Sequence, residues 1–251
     1  ARPELITSVT HAFDGSPIFL SAYTYDALSR SIQRLDRTSA ETVTNQFAYN
    51  ARSEVATAVL GNRTFGFAYD DIGSHTVSTV NSVETTYTAN NLNQYSEISV
   101  PSVPSVENLS YDLDGNLLTN GVFSYTWDAE NRLVAAYSNS VCVISNAYDH
   151  ANRRVLKVSH GGTETRRFVY DGWNLIQETI STASGVTTNL YVWGKDLSGT
   201  LQGAGGIGGL LAVKQGNAWY FPFYDNNGNI TAYVNEQGAV VAEYAYDAFG
   251  D

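Results

Sequence analysis

Carboxylates beside aromatic rings recur along this 251-residue chain, and they are the residues that could carry acid–base chemistry. Two carboxyl groups facing one glycosidic bond can hydrolyse it, one as the acid and the other as base or nucleophile. Candidates for such a pair are Asp128, Glu130, Asp149 and Asp171. However, nearly every repeat of the chain carries such an aspartate, as a turn rule predicts, so abundance singles out no pair. We predict no catalytic residue, and a hydrolase stays as an alternative.

The aspartates belong to a short phrase that the chain repeats: an aromatic residue, an aspartate and, three residues later, a glycine or asparagine. Residues 111–133 hold two copies, with Asn120-Gly121 between them as a strong signal of a tight hairpin turn. The phrase recurs roughly every 20 residues, which is the length of two average strands and two turns. The repeat-signature residues are Tyr25, Asp26, Tyr69, Asp70, Tyr111, Asp112, Gly115, Trp127, Asp128, Tyr148, Asp149, Tyr170, Asp171, Tyr224, Asp225, Gly228, Tyr246 and Asp247.

Each part of the phrase has a physical role in a hairpin. The ring packs on one face of the strand, and the aspartate caps the turn by accepting backbone N–H bonds. The glycine or asparagine supplies the left-handed backbone conformation that closes the turn. Because a lone hairpin is marginal in water, the copies must stack on one another. We therefore predict an all-β fold of repetitive antiparallel hairpins that forms one continuous curled sheet, with little helix.

The repeats also suggest how the chain is divided. Residues 1–20 are predicted to be a lead-in that supplies a strand of a preceding repeat, and residues 21–251 to be the repeat region. The chain contains no methionine, and its last residues, beginning at Tyr246-Asp247, open a further copy of the phrase. We expect it to be a piece of a longer chain.

Composition excludes several classes of partner. The net charge of −11 argues against nucleic acid, which needs a cationic face, and against an anionic membrane surface. No apolar run approaches the ~20 residues of a membrane-spanning helix, so we predict no membrane insertion. The single cysteine, Cys142, excludes a disulfide within the chain, and its apolar neighbours predict a small buried hydrophobe on a strand.

Some segments match cofactor or metal motifs in sequence, but each match is better explained by a turn or a strand. Gly203-x-Gly205-x-x-Gly208 matches a dinucleotide fingerprint, but an aromatic strand-like segment follows where that motif needs a helix. The oxygen-rich segments 112–116 and 225–229 resemble calcium loops but lack the required glycine and glutamate positions, so turn capping is the better interpretation. His11, His75, His150 and His160 show no metal-ligand spacing. We predict no cofactor and no metal.

The recurring phrase resembles the YD repeat of the RHS (rearrangement hot spot) family, whose relatives include teneurins and the C components of insecticidal toxin complexes. The likeness extends from about Tyr25 to the end of the chain, and residues 191–211 are similar to the segment near the RHS core. The resemblance implies a spiralling β-shell that can enclose a toxic C-terminal domain. The family's self-cleaving Asp-Pro-x-Gly site has no match here, because Ala248 stands where the proline would be.

The resemblance implies a structural shell segment of a secreted or surface bacterial protein, with the remainder of a longer chain and its C-terminal cargo domain as partners. An adhesion module that binds carbohydrate or cell-surface glycans is an alternative, because rings beside carboxylates suit sugars. The rings available for that role are Trp127, Trp173, Trp193 and Trp219. A glycoside hydrolase with an Asp/Glu pair is the third possibility.

Overall fold

The computed structural model describes residues 5–38, 40–100 and 107–250, which form two antiparallel β-sheets. The first sheet contains β1 (Ser8–Phe13), β2 (Ser16–Tyr25), β3 (Ser31–Arg37), β4 (Thr42–Tyr49), β5 (Val55–Leu60), β6 (Arg63–Tyr69), β7 (His75–Val80), β8 (Val83–Ala89), β9 (Tyr95–Ser99) and β10 (Glu107–Asn108). The second contains β11 (Ser110–Tyr111), β12 (Leu117–Thr119), β13 (Phe123–Trp127), β14 (Leu133–Ser138), β15 (Val141–Tyr148), β16 (Arg154–Ser159), β17 (Glu164–Asp171), β18 (Asn174–Thr182), β19 (Gly185–Trp193), β20 (Leu210–Gln215), β21 (Ala218–Tyr224), β22 (Ile230–Asn235) and β23 (Val240–Glu243).

Strand order in both sheets is the order of the chain, so every strand pairs with its neighbours in sequence. The described ranges contain no α-helix and only a short 3₁₀ turn at His160–Gly162. The predicted all-β fold of antiparallel hairpins is confirmed. The predicted division at residue 20 falls inside β2, so the lead-in and the first repeat share that strand.

The two sheets meet in one short segment. β10 pairs with β9, β11 pairs with β12, and only Leu109 separates β10 from β11. The backbone N–H of Leu109 still donates to Ser96 O (3.2 Å), and the Tyr111 hydroxyl donates to Tyr95 O (2.9 Å). The hairpin array therefore continues across this point, although the strand pairing is interrupted between β10 and β11.

A β-bulge precedes the aromatic residue of almost every repeat, and it explains the curl. At the end of β2, for example, Thr24 faces Gln33 but Tyr25 faces Ser31, so that Ile32 is the extra residue on the following strand. The same shift occurs before Tyr49, Tyr69, Ala89, Tyr111, Trp127, Tyr148, Tyr170, Trp193 and Tyr224. A bulge bends its strand and increases the local twist. Repeating it at one edge of the sheet makes the wall curve.

Except in the repeat with Ala89 at this position, the aromatic residue donates a hydrogen bond to the repeat before it, which we call the ring lock. The Tyr49 hydroxyl donates to Ser31 O at 2.7 Å, and Ser31 faces Tyr25, the ring residue of the preceding repeat. Ser31 lies beyond the β3–β4 ladder, which begins at Gln33, so the ring supplies the donor that this carbonyl lacks. The other locks, all between 2.6 and 2.9 Å, are donated by Tyr25, Tyr69, Tyr111, Trp127, Tyr148, Tyr170, Trp193, Tyr224 and Tyr246.

The curl brings the last hairpins onto the first ones. Phe223, Ala232 and Val234 form a buried cluster against Ile18 and Phe19 of β2. This contact joins β21 and β22 to a strand about 200 residues earlier and closes the rolled sheet with a hydrophobic cluster.

Polar and aromatic contacts extend this closure along the seam. The His11 ring stacks on Phe223 at 4.4 Å, and its Nε2 lies 2.8 Å from Tyr224 O. The backbone N–H of Asn226 donates to the Tyr23 hydroxyl at 3.0 Å. Further along, the edge of Phe249 meets the Phe67 ring at 4.8 Å. The sheet is therefore rolled, with its C-terminal hairpins on the face of β1–β7 that carries the lock rings; we call this face of both sheets the ring face.

We expect Tyr224→Phe to lower the free energy of unfolding by about 1–2 kcal/mol, because it leaves the buried Leu210 carbonyl without a donor while keeping the ring. The measurement is urea unfolding followed by far-UV circular dichroism. The matched control is Tyr125→Phe, since the Tyr125 hydroxyl makes no hydrogen bond within the described residues. Equal losses in both variants would show that the lock contributes nothing specific.

Candidate functional site

The repeat turns hold most of the sequence-predicted site residues. The turn at Asp128 shows the geometry that most of these turns share. The side chain of Asp128 accepts backbone N–H bonds from Glu130 (3.0 Å) and Arg132 (3.1 Å) through Oδ1. The backbone N–H of Asn131 donates to Asp128 O at 3.0 Å, with Asn131 at a φ of 59°. The turn therefore combines a side-chain cap with a left-handed residue, as the repeat phrase predicts.

This pair of caps, to the second and fourth following residues, recurs along one edge of the wall and occurs at the opposite edge at Asn235. It is made by Asp26, Asn50, Asp70, Asn90, Asp112, Asp128, Asp149, Asp225 and Asn235. Asn235 has no ring before it, and its cap was missed at the sequence level. The sequence contained a signal for this cap, because Gly238 lies three residues after Asn235, the same spacing as in other copies of the repeat.

The residue four places after the cap joins neighbouring turns. Arg132 donates through Nε to Asp128 Oδ2 at 2.8 Å and through Nη1 to Asn152 Oδ1 of the next turn at 2.9 Å. Its guanidinium also lies 5.1 Å from the centre of the Tyr148 ring, within the range of a cation–π contact. Arg30 and Arg153 make the same kind of contacts with the turns that follow them. The turn edge is therefore a continuous polar network.

The pKa values of four capped aspartates lie below the ordinary value. The hydrogen bond from the Arg153 side chain is the main cause that keeps the pKa of Asp149 below its ordinary value, against a smaller opposing effect of desolvation. The backbone N–H of Arg30 and the side chain of Asn116 are the main causes that lower the pKa values of Asp26 and Asp112. At Asp128 desolvation is the largest single effect and raises the pKa, but the hydrogen bonds of the turn together outweigh it and lower the pKa. A general acid needs a raised pKa, so this environment suits capping and opposes acid catalysis.

Asp171 departs from the pattern. It is the last residue of β17 and pairs with Asn174, so the turn contains only Gly172 and Trp173. Tyr170 keeps its ring lock, but the capped turn is replaced by a tight two-residue turn with Gly172 at a φ of 57°. Asp171 therefore matches the sequence pattern of the repeat but does not cap a turn.

Among the four tryptophans, three are engaged with other parts of the wall. Trp127 and Trp193 donate ring locks through Nε1, and Trp219 lies beneath the Lys214 ammonium at 5.5 Å. Trp173, in contrast, is 62% exposed. Only Trp173 of this group therefore presents a largely free ring.

The glycine-rich segment after β19 is organised by an aspartate that sequence reasoning did not single out. Asp196 is 6% exposed and accepts hydrogen bonds from the Ser198 hydroxyl (2.6 Å) and from the backbone N–H groups of Ala204 (2.7 Å) and Gly206 (3.1 Å). The Ser198 hydroxyl is the main cause that lowers the pKa of Asp196 to about 2. The available signal in the sequence was an aspartate followed by closely spaced glycines.

The fingerprint-like glycines lead into a strand. Gly205 and Gly208 have φ values of 67° and 75°, and β20 begins at Leu210, where a dinucleotide site would have a helix N-terminus. The cap oxygens of Asp112 and Asp225 are taken by their own turns. Within the described residues, no group of three or more histidine, cysteine, aspartate or glutamate side chains is placed to hold a metal ion.

The histidines serve packing or turns, and Cys142 corrects one prediction. His75 lies near Phe67 (5.4 Å) and Phe249 (5.2 Å), and His160 occupies a turn with a φ of 53°. His150 lies in the turn after Asp149. Cys142 was predicted to be buried, but it is exposed, because a wall one sheet thick leaves part of β15 facing solvent.

The repeat chemistry and the rolled hairpin array agree with a comparison of the chain with known families. The family described as Teneurin YD-shell matches residues 3–251. The chain belongs to this family. The resemblance to YD-repeat proteins that the sequence predicted is thus confirmed.

Relatives of this YD-shell chain are much longer than it is. The tRNA3(Ser)-specific nuclease WapA of Bacillus spizizenii is 30% identical over 147 residues, which are 58% of this chain and 6% of that protein. The tRNA nuclease WapA of Bacillus subtilis is 31% identical over 149 residues, with the same coverage of 58% and 6%.

Solved structures share the fold. The Photorhabdus luminescens Tc holotoxin pore aligns with a TM-score of 0.59 at 12% identity, covering 94% of this chain and 15% of that one. The TcdB2-TccC3-Cdc42 structure aligns with a TM-score of 0.58 at 12% identity and the same coverage. At this identity the alignments establish the β-shell fold alone.

Replacing Asp149 and Asp171 with alanine should give different results. We expect Asp149→Ala to lower the urea midpoint of unfolding, because it removes two backbone caps and the Arg153 ion pair. Asp171→Ala should leave the midpoint nearly unchanged. Asp149→Asn should fall between them, since Asn50 and Asn90 cap through the same Oδ1 contacts. Equal effects at positions 149 and 171 would contradict the assignment of the cap.

Asp196 should make stability depend on acid pH. Its pKa of about 2 lies below the ordinary value of 3.8, so its contribution is complete above about pH 4 and is lost as the pH falls towards 2. Urea midpoints measured between pH 5 and pH 2 should therefore fall more steeply for the unmodified protein than for Asp196→Asn. Asp114→Asn, at an exposed turn position, is the control and should follow the unmodified protein. Parallel curves for all three proteins would count against this role of Asp196.

Proposed function

We propose that this chain is a wall segment of a shell in a longer RHS-type bacterial protein, secreted or at the cell surface. In this proposal the shell encloses or presents a toxin or effector domain. The observation that carries the proposal is the rolled sheet, in which Phe223, Ala232 and Val234 lie against Ile18 and Phe19. A sheet that curls until its two ends meet has an inside and an outside, as a container requires.

The lengths of the relatives support the proposal that this chain is a segment of a longer protein. The chain spans 6% of the curated relatives it matches and 15% of the aligned structures. The names of those relatives refer to a nuclease and to Tc toxin assemblies. We propose that any enzymatic activity of the parent protein lies outside these 251 residues, and that this part supplies the wall.

The geometry gives weaker support to a glycoside hydrolase. Asp128 and Asp149 are committed to their own turns with lowered pKa values, and Arg132 and Arg153 neutralise them. Glycosidases need one carboxyl group with a raised pKa facing a second across the substrate. Asp128 and Asp149 have the opposite electrostatic environment.

Carbohydrate binding through tryptophan also has weaker support. Only Trp173 presents a largely exposed ring, and it lies in a two-residue turn. A sugar site would need several polar groups converging on that ring. Binding of small glycosides that is lost in Trp173→Ala would nevertheless favour the adhesion module over the shell.

The location of the chain outside the cell is part of the proposal. Within the described ranges, no helix has the length and apolar character needed to cross a membrane. Placement outside the cell is proposed from the family resemblance.

The proposal is tested on the native protein. We expect intact mass and terminal sequencing to show a chain longer than 251 residues, whose additional domain resists limited proteolysis while the shell is closed. The double variant Tyr224→Phe, Tyr246→Phe breaks two ring locks near the seam and should make that domain cleavable at lower protease concentration.

Tyr125→Phe, which breaks no lock, is the control and should protect the domain as the unmodified protein does. A native chain of about 251 residues would contradict the proposal. So would a domain that is cleaved equally in all three proteins.

A further inference from the structure

A cavity lined by tyrosines lies among the last strands of the second sheet. It has a volume of about 430 Å³, and Tyr191, Tyr220, Tyr233 and Tyr244 form its aromatic walls. Tyr191 pairs with Val213, and Val213 pairs with Tyr220, so these side chains share one face of β19–β21. Since Tyr191 precedes the lock residue Trp193 by two positions, this is the ring face of the second sheet.

These rings are distinct from the ring locks, which are made by other aromatic residues. The Tyr220 hydroxyl forms no hydrogen bond to any described residue. Tyr244 is 48% exposed and meets Tyr233 edge-on, with ring centres 6.1 Å apart. The remaining lining side chains are Val213, Gln215, Val241 and Ala242. The cavity therefore offers aromatic faces that the repeat architecture does not use.

A buried carboxylate stands behind one of its walls. Glu178 is 6% exposed, and its Oε2 accepts hydrogen bonds from the Tyr191 hydroxyl (3.1 Å) and the Asn189 amide (3.0 Å). Burial raises the pKa of Glu178, but hydrogen bonds from Arg166, Asn189 and Tyr191 outweigh it and leave the pKa below its ordinary value. Burial and the nearby carboxylate raise the pKa of Tyr191 to about 12, so this tyrosine remains a neutral donor.

The carboxylates beside the cavity already have cationic neighbours. Arg166 donates both to Glu164 (2.7 Å) and to Glu178 (2.8 Å), and Lys157 pairs with Arg166 across β16–β17 on the same face. Lys214 lies over Trp219, and these two paired residues are out of phase with Val213 and Tyr220, so they occupy the opposite face. Among the described residues that line the cavity, none is cationic.

The aromatic faces favour a cation, and no cationic side chain among the described lining residues occupies them. The face of a tyrosine ring is the negative end of its quadrupole, and arginine is the side chain that most often stacks on it. We propose that the cavity binds the guanidinium group of an arginine side chain on the polypeptide that the shell encloses. The volume accommodates the planar group with its aliphatic stem. The identity of the partner rests on the proposed shell function, whereas the preference for a cation rests on the cavity itself.

The proposal is tested by titrating the 251-residue chain, followed by NMR, with Nα-acetyl-arginine amide and Nα-acetyl-citrulline amide. Citrulline has the shape of arginine without its charge. We expect the arginine probe to bind about tenfold more tightly, which corresponds to a cation–π contact in a partly desolvated site. The preference should weaken at high salt, because part of it is Coulombic.

Variants locate the site. Tyr220→Leu should weaken arginine binding about tenfold, whereas Tyr220→Phe keeps the ring and should retain it. Tyr125→Leu removes a tyrosine from β13, outside the cavity, and should bind as the unmodified chain does. The comparison of the two probes on the unmodified chain needs no variant, so a folding defect in Tyr220→Leu cannot decide the result.

Three outcomes would overturn the inference: equal affinity for the two probes, no saturable binding, or tighter binding of methyl glucoside than of the arginine probe. The last would identify a sugar site instead. Because the titration uses this chain alone, its failure is separate from that of the shell. A chain that protects an attached domain but ignores arginine would overturn only this inference.

Discussion

The ring lock is the interaction on which the rest of the structure depends. At each bulge the ladder between neighbouring strands ends early and leaves a backbone carbonyl without a ladder partner, as at Ser31 and Leu210. The tyrosine or tryptophan of the next repeat supplies the missing donor and places its ring over the same strand. Burial of an aromatic surface and satisfaction of a buried carbonyl are thus obtained by one residue, which explains why only ring types with a donor fill this position in the locked repeats.

The aspartate beside the ring solves a separate problem at the same edge. A five-residue turn has backbone N–H groups with no strand partner, and Asp128 or its equivalents accept two of them. Arginines such as Arg132 then offset the carboxylate charge and tie each turn to the next. The chain can therefore carry many acids with a net charge of −11 while its turn edge remains a bonded network rather than a row of catalytic groups.

Curvature links these local devices to the shape of the whole wall. One bulge per repeat, always on the strand that follows the ring, adds twist in the same sense each time. The accumulated curl allows Phe223 to meet His11 and Phe19. Register decides which side chains lie on the ring face, and the tyrosine cavity lies there at positions between the locks.

The sequence by itself determined the hairpins, the capped turns and the family. Each of these depends on residues within about one repeat, and strand order follows chain order, so periodicity and turn chemistry were sufficient. Local patterns could not distinguish Asp171 from the capping aspartates. Its sequence matches the repeat, but its strand continues through Asp171 to a two-residue turn. Local patterns also placed Cys142 inside, because an apolar neighbourhood does not reveal which face of a single-layered wall is covered. Only the tertiary structure decided the closure between β2 and β21–β22, since it joins residues about 200 positions apart whose proximity is set by curvature summed over many repeats. The environment of Glu178 and the tyrosine cavity depend on neighbouring strands, but the bulges and the register that decide which side chains share a face are also set only in the structure.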